Sequence, residues 1–335
     1  MGSTSLPSDF ELPPRIQLGS RTSIPGPSHD SFVARLGRAF PEPQFLESDL
    51  GTTAIYDLPA PSGHCKRPVL VIHGANTPAL GMLGLAKSLQ ARDNDTHVVL
   101  FDLWGHGLSS TPLVPHSPHI FHFQILQILS YMQWTKAHFL GFSFGGSTLV
   151  RFANSCPWAV SSAALLAPAG LLRTEQFNPT MRELLPDSKG REAELRQSVL
   201  DWLEGGPLII PDDWKERVKN GEAVAEVLRD WELQEHSGYP YSVVSLFRSG
   251  AYGCEDDFRK FAQLSTKKIG VLGELDDVCN KSQLVELGFE DVQVVPRENH
   301  GFVRSSTAEV ARIVHRFWEQ DSLDAVTGQL ETTGV

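Results

Sequence analysis

The 335-residue sequence contains few cysteines and little positive charge. Its four cysteines include no Cys-x-x-Cys pair and no spacing typical of a zinc site, so we expect free thiols and neither metal nor cofactor. Lys and Arg number 29 against 40 Asp and Glu, which leaves a net charge of −11. This balance argues against a nucleic-acid-binding protein, because such a protein needs clustered basic side chains. The cysteines are Cys65, Cys156, Cys254 and Cys279.

Long apolar runs are also absent. No stretch approaches the roughly 20 apolar residues that a membrane-spanning helix needs. The first residues, Met1-Gly-Ser-Thr-Ser, show neither the basic nor the apolar region of a secretory signal. On these grounds we expect a cytoplasmic protein. The sequence leaves the oligomeric state open.

From Pro68 onward, short apolar runs alternate with helical patterns. Continuous apolar strands that alternate with helices are typical of a parallel sheet covered on both faces. The sequence therefore predicts an α/β fold with a mostly parallel, doubly wound central sheet. The apolar runs are residues 69–72, 98–101, 137–140, 163–166, 269–272 and 292–295.

The alternation is interrupted between residues 171 and 237, where the chain is charged and shows helical patterns. We predict that residues 171–237 form a helical lid and that residues 46–170 and 238–320 form the core. Residues 1–45 begin with a segment rich in Ser, Pro and Gly, which favours a flexible or loosely packed arm. Residues 321–335 are predicted to be a C-terminal tail.

A glycine-rich segment, Gly141-Phe-Ser-Phe-Gly-Gly146, follows the run that ends at Leu140 and opens a helical pattern. A sharp strand-to-helix turn requires small residues two positions before and after its central residue, and Gly141 and Gly145 meet this requirement. The pattern predicts Ser143 as a nucleophile, and the alternative is a helix start capped by a serine. The N–H of Phe144 would then point at a developing oxyanion.

A second turn, His73-Gly-Ala75, follows the run at residues 69–72. In this arrangement the loop supplies the other oxyanion donor, which we assign to Ala75, with Asn76 as the alternative. His73 is interpreted as a structural turn residue, because a general base is expected later in the chain.

The acid and the base are sought late in the chain, since the order in such folds is Ser, then Asp or Glu, then His. Asp276 is the preferred acid because it lies three residues after Gly273, while Asp277 and Glu274 are alternatives. Of twelve histidines, His300 alone lies between the last apolar run and the closing helix, so it is the predicted base.

The loop containing Asp102, Trp104 and His106 precedes the nucleophile and therefore has the wrong position for acid and base. We interpret it as a structural turn close to the pocket, with His106 as a possible ligand contact. The predicted pocket residues are Asn76, Trp104, Phe142 and Phe302.

These motifs together resemble those of the lidded α/β-hydrolases over about residues 50–320. The resemblance implies a Ser-Asp-His triad that cleaves an ester, thioester or lactone of a small, largely apolar substrate through an acyl-enzyme. Carbon–carbon bond hydrolysis of a diketone-like substrate, acyl transfer and a non-catalytic ligand receptor are the alternatives. A member of this family with Asp at the position of Ser143 would be expected to hydrolyse epoxides or haloalkanes, so Ser143 argues against both reactions. Asn299 stands where the family usually has Gly before the base.

Overall fold

The computed structural model describes the backbone of residues 22–331 and the side chains of residues 22–320. In chain order the strands are β1 (Ser23–Ile24), β2 (Gln44–Ser48), β3 (Gly51–Leu58), β4 (Arg67–Ile72), β5 (Thr96–Phe101), β6 (Thr111–Pro112), β7 (Ala137–Phe142), β8 (Val160–Leu166), β9 (Lys267–Gly273) and β10 (Val292–Val295). The helices are α1 (His29–Leu36), α2 (Leu83–Arg92), α3 (Pro118–Tyr131), α4 (Phe144–Ser155), α5 (Pro179–Leu184), α6 (Glu192–Glu204), α7 (Trp214–Lys219), α8 (Ala225–Glu235), α9 (Tyr239–Arg248), α10 (Glu255–Ala262), α11 (Lys281–Glu286), α12 (Phe302–Ser305) and α13 (Thr307–Glu331).

Eight strands form one sheet in the order β10-β9-β8-β7-β4-β5-β3-β2, and β1 pairs with β6 in a separate ribbon. The strands from β10 to β5 are parallel, whereas β3 and β2 extend the sheet antiparallel at one edge. Central strands are buried on both faces, which is why they read as continuous apolar runs. The predicted mostly parallel α/β sheet is confirmed.

Parallel strands bring their carboxyl ends to one edge of the sheet, and this edge positions the candidate site. Strands β4 and β7 pair side by side up to Ile72 and Gly141, so the loops that follow them lie together. Strands β9 and β10 pair up to Gly273 and Val295, which places the two late loops at the same edge.

A helical insertion, here defined as α5 to α9, lies between β8 and the core helix α10. Helix α10 packs on α4, whereas α9 packs on α6. Within the insertion the Phe247 ring lies 5.5 Å from Trp202 and 5.6 Å from Phe177, both at steep angles. The insertion therefore extends past residue 237, where the predicted boundary lay, because the aromatic face of α9 is buried against α6.

The segment before the sheet differs from the predicted loosely packed arm. Helix α1 starts with Ser28 as its cap and buries Phe32 and Leu36. The Phe32 ring meets Trp231 of α8 edge-on at 5.1 Å, and Arg35 bonds Asp230 at 2.7 Å. Residues 29–36 are therefore attached to the helical insertion. Residues 1–21 and 332–335 lie outside the described part of the chain, so the arm and tail predictions for them stay predictions.

Within the described part of the chain, no helix combines the length and the apolar character needed to cross a membrane. The same residues contain no group of three or more His, Cys, Asp or Glu side chains arranged to hold a metal ion. The four cysteines are all free.

The attachment of α1 can be tested by Phe32→Ala, because Phe32 is only 3% exposed. Truncating a buried phenylalanine typically costs about 3–5 kcal/mol of unfolding free energy. The matched control is Phe45→Ala, since Phe45 is 44% exposed and its loss should cost about 1 kcal/mol or less. Denaturant unfolding of the full chain measures both. Equal costs for the two variants would contradict the observed packing of α1.

Five buried histidines make the stability depend on pH. Burial lowers the pKa of His73, His116, His122 and His236 to about 4, and that of His106 further. Between pH 4 and the unfolded value of about 6.5, the unfolded chain binds protons that the folded chain does not, so acidification destabilises the fold. Burial raises the pKa of Asp102 to about 6 and also raises that of Glu232, which opposes this trend, but the histidines outnumber these two carboxyls.

We therefore expect the denaturation midpoint to fall between pH 7 and pH 4.5. The variant His236→Gln can keep the donor to the Ser109 carbonyl oxygen, a contact of 2.9 Å in the native chain, but it cannot titrate. Between pH 7 and pH 4.5, the unfolding free energy of this variant should fall by on the order of 2 kcal/mol less than that of wild type. The control His64→Gln changes an exposed histidine and should leave the slope unchanged. A flat wild-type profile would contradict the depressed pKa values.

Candidate active site

Ser143 lies at a tight turn between β7 and α4, in a backbone conformation that is rare for a residue with a side chain, with φ of 52° and ψ of −120°. Its N–H donates to the Leu166 carbonyl at 3.0 Å, and its carbonyl accepts from Gly146 and Ala169. These bonds hold the strained conformation. A β-carbon at Gly145 would lie 2.2 Å from the Ile72 carbonyl oxygen, so the turn has no room for a larger residue there.

The Ser143 side chain takes part in a chain of hydrogen bonds. Its Oγ lies 3.0 Å from Nε2 of His300, and Nδ1 of His300 lies 3.1 Å from Oδ2 of Asp276. The Asp276 side chain has no exposed surface, whereas that of His300 is 27% exposed. A hydroxyl, an imidazole and a buried carboxylate in this order are the arrangement that transfers the serine proton to the base.

Of the three carboxylates in the β9 loop, Asp276 is the one that bonds His300. Its Oδ1 also accepts from the backbone N–H groups of Val278 and Cys279 at 2.8 and 3.1 Å, which fixes its orientation. Asp277 is exposed. Glu274 instead accepts from the backbone N–H of Arg297 at 2.7 Å, so it stabilises the turn after β10.

Two backbone N–H groups beside Ser143 are available to an oxyanion. Among the hydrogen bonds of residues 22–320, the N–H groups of Ala75 and Phe144 have no acceptor. Phe144 opens α4, so its N–H is one of the unpaired donors of a helix start. Gly74 lies against the nucleophile, because a β-carbon there would be 3.0 Å from Cβ of Ser143. Unpaired donors close to a nucleophile can stabilise a developing negative charge.

His73 orients the first of these donors. Its Nε2 accepts from the Leu103 N–H at 2.8 Å, so the proton is on Nδ1, which donates to the Gly74 carbonyl at 2.7 Å. That carbonyl belongs to the same peptide group as the Ala75 N–H. Burial lowers the pKa of His73 to about 4, so the ring stays neutral and keeps this tautomer near pH 7. His73 therefore has a structural role in the turn.

The loop after β5 also has structural contacts. Asp102 is fully buried, and its carboxylate accepts from Ala79 N–H, Leu108 N–H and the Tyr56 hydroxyl at 2.8 to 3.0 Å. His106 Nε2 lies 3.0 Å from the Ala75 carbonyl oxygen, so this loop supports the oxyanion loop from behind.

The predicted pocket residues separate into two pairs. Phe142 lies next to the site, with its ring centre 5.0 Å from that of His300. Asn76 donates to the Leu203 carbonyl at 3.0 Å and so connects the oxyanion loop to the end of α6. Trp104 and Phe302 have no exposed surface. These two residues differ from the prediction, because an apolar residue at a strand end can equally be part of the core.

Sequence reasoning missed the contacts that the helical insertion makes with the loops after β4 and β5. The Tyr239 hydroxyl lies 3.3 Å from the Ala75 carbonyl oxygen, and Glu232 accepts from the Gly107 N–H at 2.6 Å. These partners are more than 120 residues apart in the chain, so no local pattern could have identified them. Arg304 beside Phe142 was also missed, because their contact joins two segments that are distant in the chain.

Comparison with known proteins agrees with this architecture. The model of the alpha/beta hydrolase family matches residues 69–313. The chain belongs to the alpha/beta hydrolase family. This membership accounts for the sheet and for the position of the glycine-rich turn after β7.

Individual relatives are distant. The dihydrolipoyllysine-residue acetyltransferase component of an acetoin cleaving system from Pseudomonas putida is 29% identical over 174 residues, which are 51% of this chain and 45% of that protein. The chain spans about half the length of the curated relatives that it matches.

Solved structures of this family share the fold. A hydrolase from Pseudomonas aeruginosa PA01 has a TM-score of 0.62 at 18% identity, covering 83% of this chain and 98% of that chain. The enol-lactonase from Burkholderia xenovorans LB400 has a TM-score of 0.61 at 16% identity, covering 82% and 99%. At such identities the similarity concerns the fold alone.

The contact between Asp276 and His300 leads to a paired test. Asp276→Asn keeps the shape of the side chain but favours the wrong imidazole tautomer, which costs about 10⁴-fold in turnover in enzymes with this arrangement. We expect a decrease of this order in the rate at which a fluorophosphonate probe labels Ser143, measured by intact mass. The control Asp277→Asn changes the exposed neighbour and should alter the rate by less than about threefold. Equal losses in both variants would contradict the assignment of Asp276.

Proposed function

We propose that this protein is a serine hydrolase that cleaves an ester, thioester or lactone of a small, largely apolar substrate through an acyl-enzyme on Ser143. The observation that carries the proposal is the hydrogen-bonded series Ser143, His300 and Asp276, with contacts of 3.0 and 3.1 Å. Family membership supports hydrolytic chemistry but leaves the substrate open.

In the proposed reaction, Nε2 of His300 takes the proton of the Ser143 hydroxyl while Oγ attacks the substrate carbonyl. The tetrahedral oxyanion accepts hydrogen bonds from the N–H groups of Ala75 and Phe144. Removing one such donor typically costs about 10²–10³ in rate. His300 then gives its proton to the leaving group, and Asp276 stabilises the imidazolium that forms in between. Water attacks the acyl-enzyme with His300 again as the base, which releases the acid and restores Ser143.

The proposal extends to the helical insertion, which we infer to act as a lid. Its helices α6 and α9 contact the oxyanion loop through the Leu203 carbonyl and the Tyr239 hydroxyl. Phe142 and Phe144 flank the nucleophile, which supports an apolar substrate. A lid that excludes water strengthens the electrostatic interactions inside the site and decides which substrate is admitted.

The decisive experiment is covalent labelling with a fluorophosphonate probe, read by intact mass and peptide mapping. We expect wild type to be labelled at Ser143, and both Ser143→Ala and His300→Ala to lose about 10⁴-fold or more of the activity towards a nitrophenyl ester. Ser147→Ala is a matched control, because Ser147 lies one turn later in α4 and bonds the Phe144 carbonyl at 2.9 Å.

Absence of labelling in a folded wild-type protein would overturn the proposal. Binding of an ester without turnover would favour a ligand receptor on the same fold. Product analysis by mass spectrometry would identify a carbon–carbon bond hydrolase or an acyltransferase, either of which would replace the proposed ester hydrolysis.

A further inference from the structure

A pair of arginines lies where the helical insertion meets the loop that contains His300. Arg304 of α12 follows His300 by four residues, and its Cζ lies 5.7 Å from the centre of the Phe142 ring. The same ring lies 5.0 Å from the ring centre of His300. The Arg304 guanidinium and the catalytic imidazole proposed above are thus separated by a single side chain.

The Arg304 guanidinium has no hydrogen-bond or ion-pair partner among residues 22–320. It is nevertheless half-buried. Burial, followed by the nearby positive charge of Arg229, lowers its pKa to about 10, so it stays charged at neutral pH. The Phe142 ring contacts the face of the guanidinium but leaves its N–H donors without acceptors, and an anionic ligand would supply them.

Arg229, on α8, is the second member of the pair. Its Nη1 lies 3.4 Å from the Glu204 carboxylate, but its Nε is buried without a partner. The positive charge of Arg229 lowers the pKa of Arg304, so the two guanidinium groups are near enough to repel each other, and each has unused donors.

The position of this pair relative to the nucleophile follows from a series of contacts. Asn76, in the loop after β4, donates to the Leu203 carbonyl. Glu204, which follows Leu203, forms an ion pair with Arg229. The positive charge of Arg229 in turn lowers the pKa of Arg304. Arg304 lies over Phe142, which precedes Ser143. Arg304 therefore lies one side chain away from His300, at the edge of the proposed active site.

We propose that Arg304, together with Arg229, binds a free carboxylate of the substrate, so that the site prefers a half-ester of a dicarboxylic acid over a neutral ester of the same length. This inference rests on the proposed function. A planar guanidinium presents paired donors that match a carboxylate. Glu204 and Glu226 also act on the two arginines, and these carboxylates would repel a doubly charged phosphate more strongly than a singly charged carboxylate.

The test compares p-nitrophenyl hydrogen glutarate with p-nitrophenyl pentanoate, which have equal acyl lengths. Wild type should show a higher kcat/KM for the anionic ester. Arg304→Met should lower the ratio of the two kcat/KM values by about 10–100-fold, as expected for the loss of a charged hydrogen bond. The loss should appear in KM, and Arg304→Lys should retain part of the preference. The control Arg259→Met changes an exposed arginine on α10 that pairs with Asp256, and should leave the ratio unchanged.

A second measurement separates this inference from the proposed function. Isothermal titration calorimetry on Ser143→Ala measures the binding of two amides without any turnover. The amides are N-butyl glutaramic acid, which has a free carboxylate, and N-butyl pentanamide, which has none. Tighter binding of the acid, weakened by Arg304→Met, supports the carboxylate site even if no ester is hydrolysed. Ester turnover without any preference for the anionic ester, together with equal binding of the two amides, would overturn the inference and leave the hydrolase proposal standing. The ester comparison on wild type and the amide comparison on Ser143→Ala both remain decisive if Arg304→Met does not fold.

Discussion

Crowding at the turn after β7 is the constraint on which the rest of the site depends. The backbone of β4 lies so close to the start of α4 that a side chain at Gly145 would collide with the Ile72 carbonyl. Ser143 consequently takes a positive φ, and its hydroxyl projects towards the loop that contains His300. The same close approach brings Gly74 against the nucleophile. Ser143 and the loop after β4 are thus positioned by one contact between neighbouring strands, and not by flexible loops.

Around this contact the molecule uses buried polar groups whose partners are backbone atoms. His73, His106 and Asp102 take no part in the hydrogen-bonded series of Ser143, His300 and Asp276. Each is held by backbone groups that it orients, such as the Gly74 carbonyl for His73 and the Ala79 N–H for Asp102. Burial lowers the pKa of both histidines, so the rings are neutral and act as fixed hydrogen-bonding groups.

The central sheet and the positions of Ser143, Asp276 and His300 could be predicted because they depend on local sequence. Buried strands leave continuous apolar runs, and each of the three loops follows such a run. Strand β2 could not be found in this way, because it is an edge strand in which only Leu46 of five residues is buried. The end of the helical insertion and the burial of Trp104 were mispredicted because they depend on packing between distant segments. The roles of Tyr239 and Arg304 depend on contacts that only the folded chain creates.

The edge-on contact of Phe32 with Trp231 has a consequence for motion. Helix α1 precedes the first strand of the main sheet, yet it packs on α8, so the insertion is joined to the rest of the molecule at a point far from its own ends. An opening movement has to carry α1 along or separate these rings. Helix α1 therefore restrains the insertion through a buried contact that lies outside the insertion's own sequence.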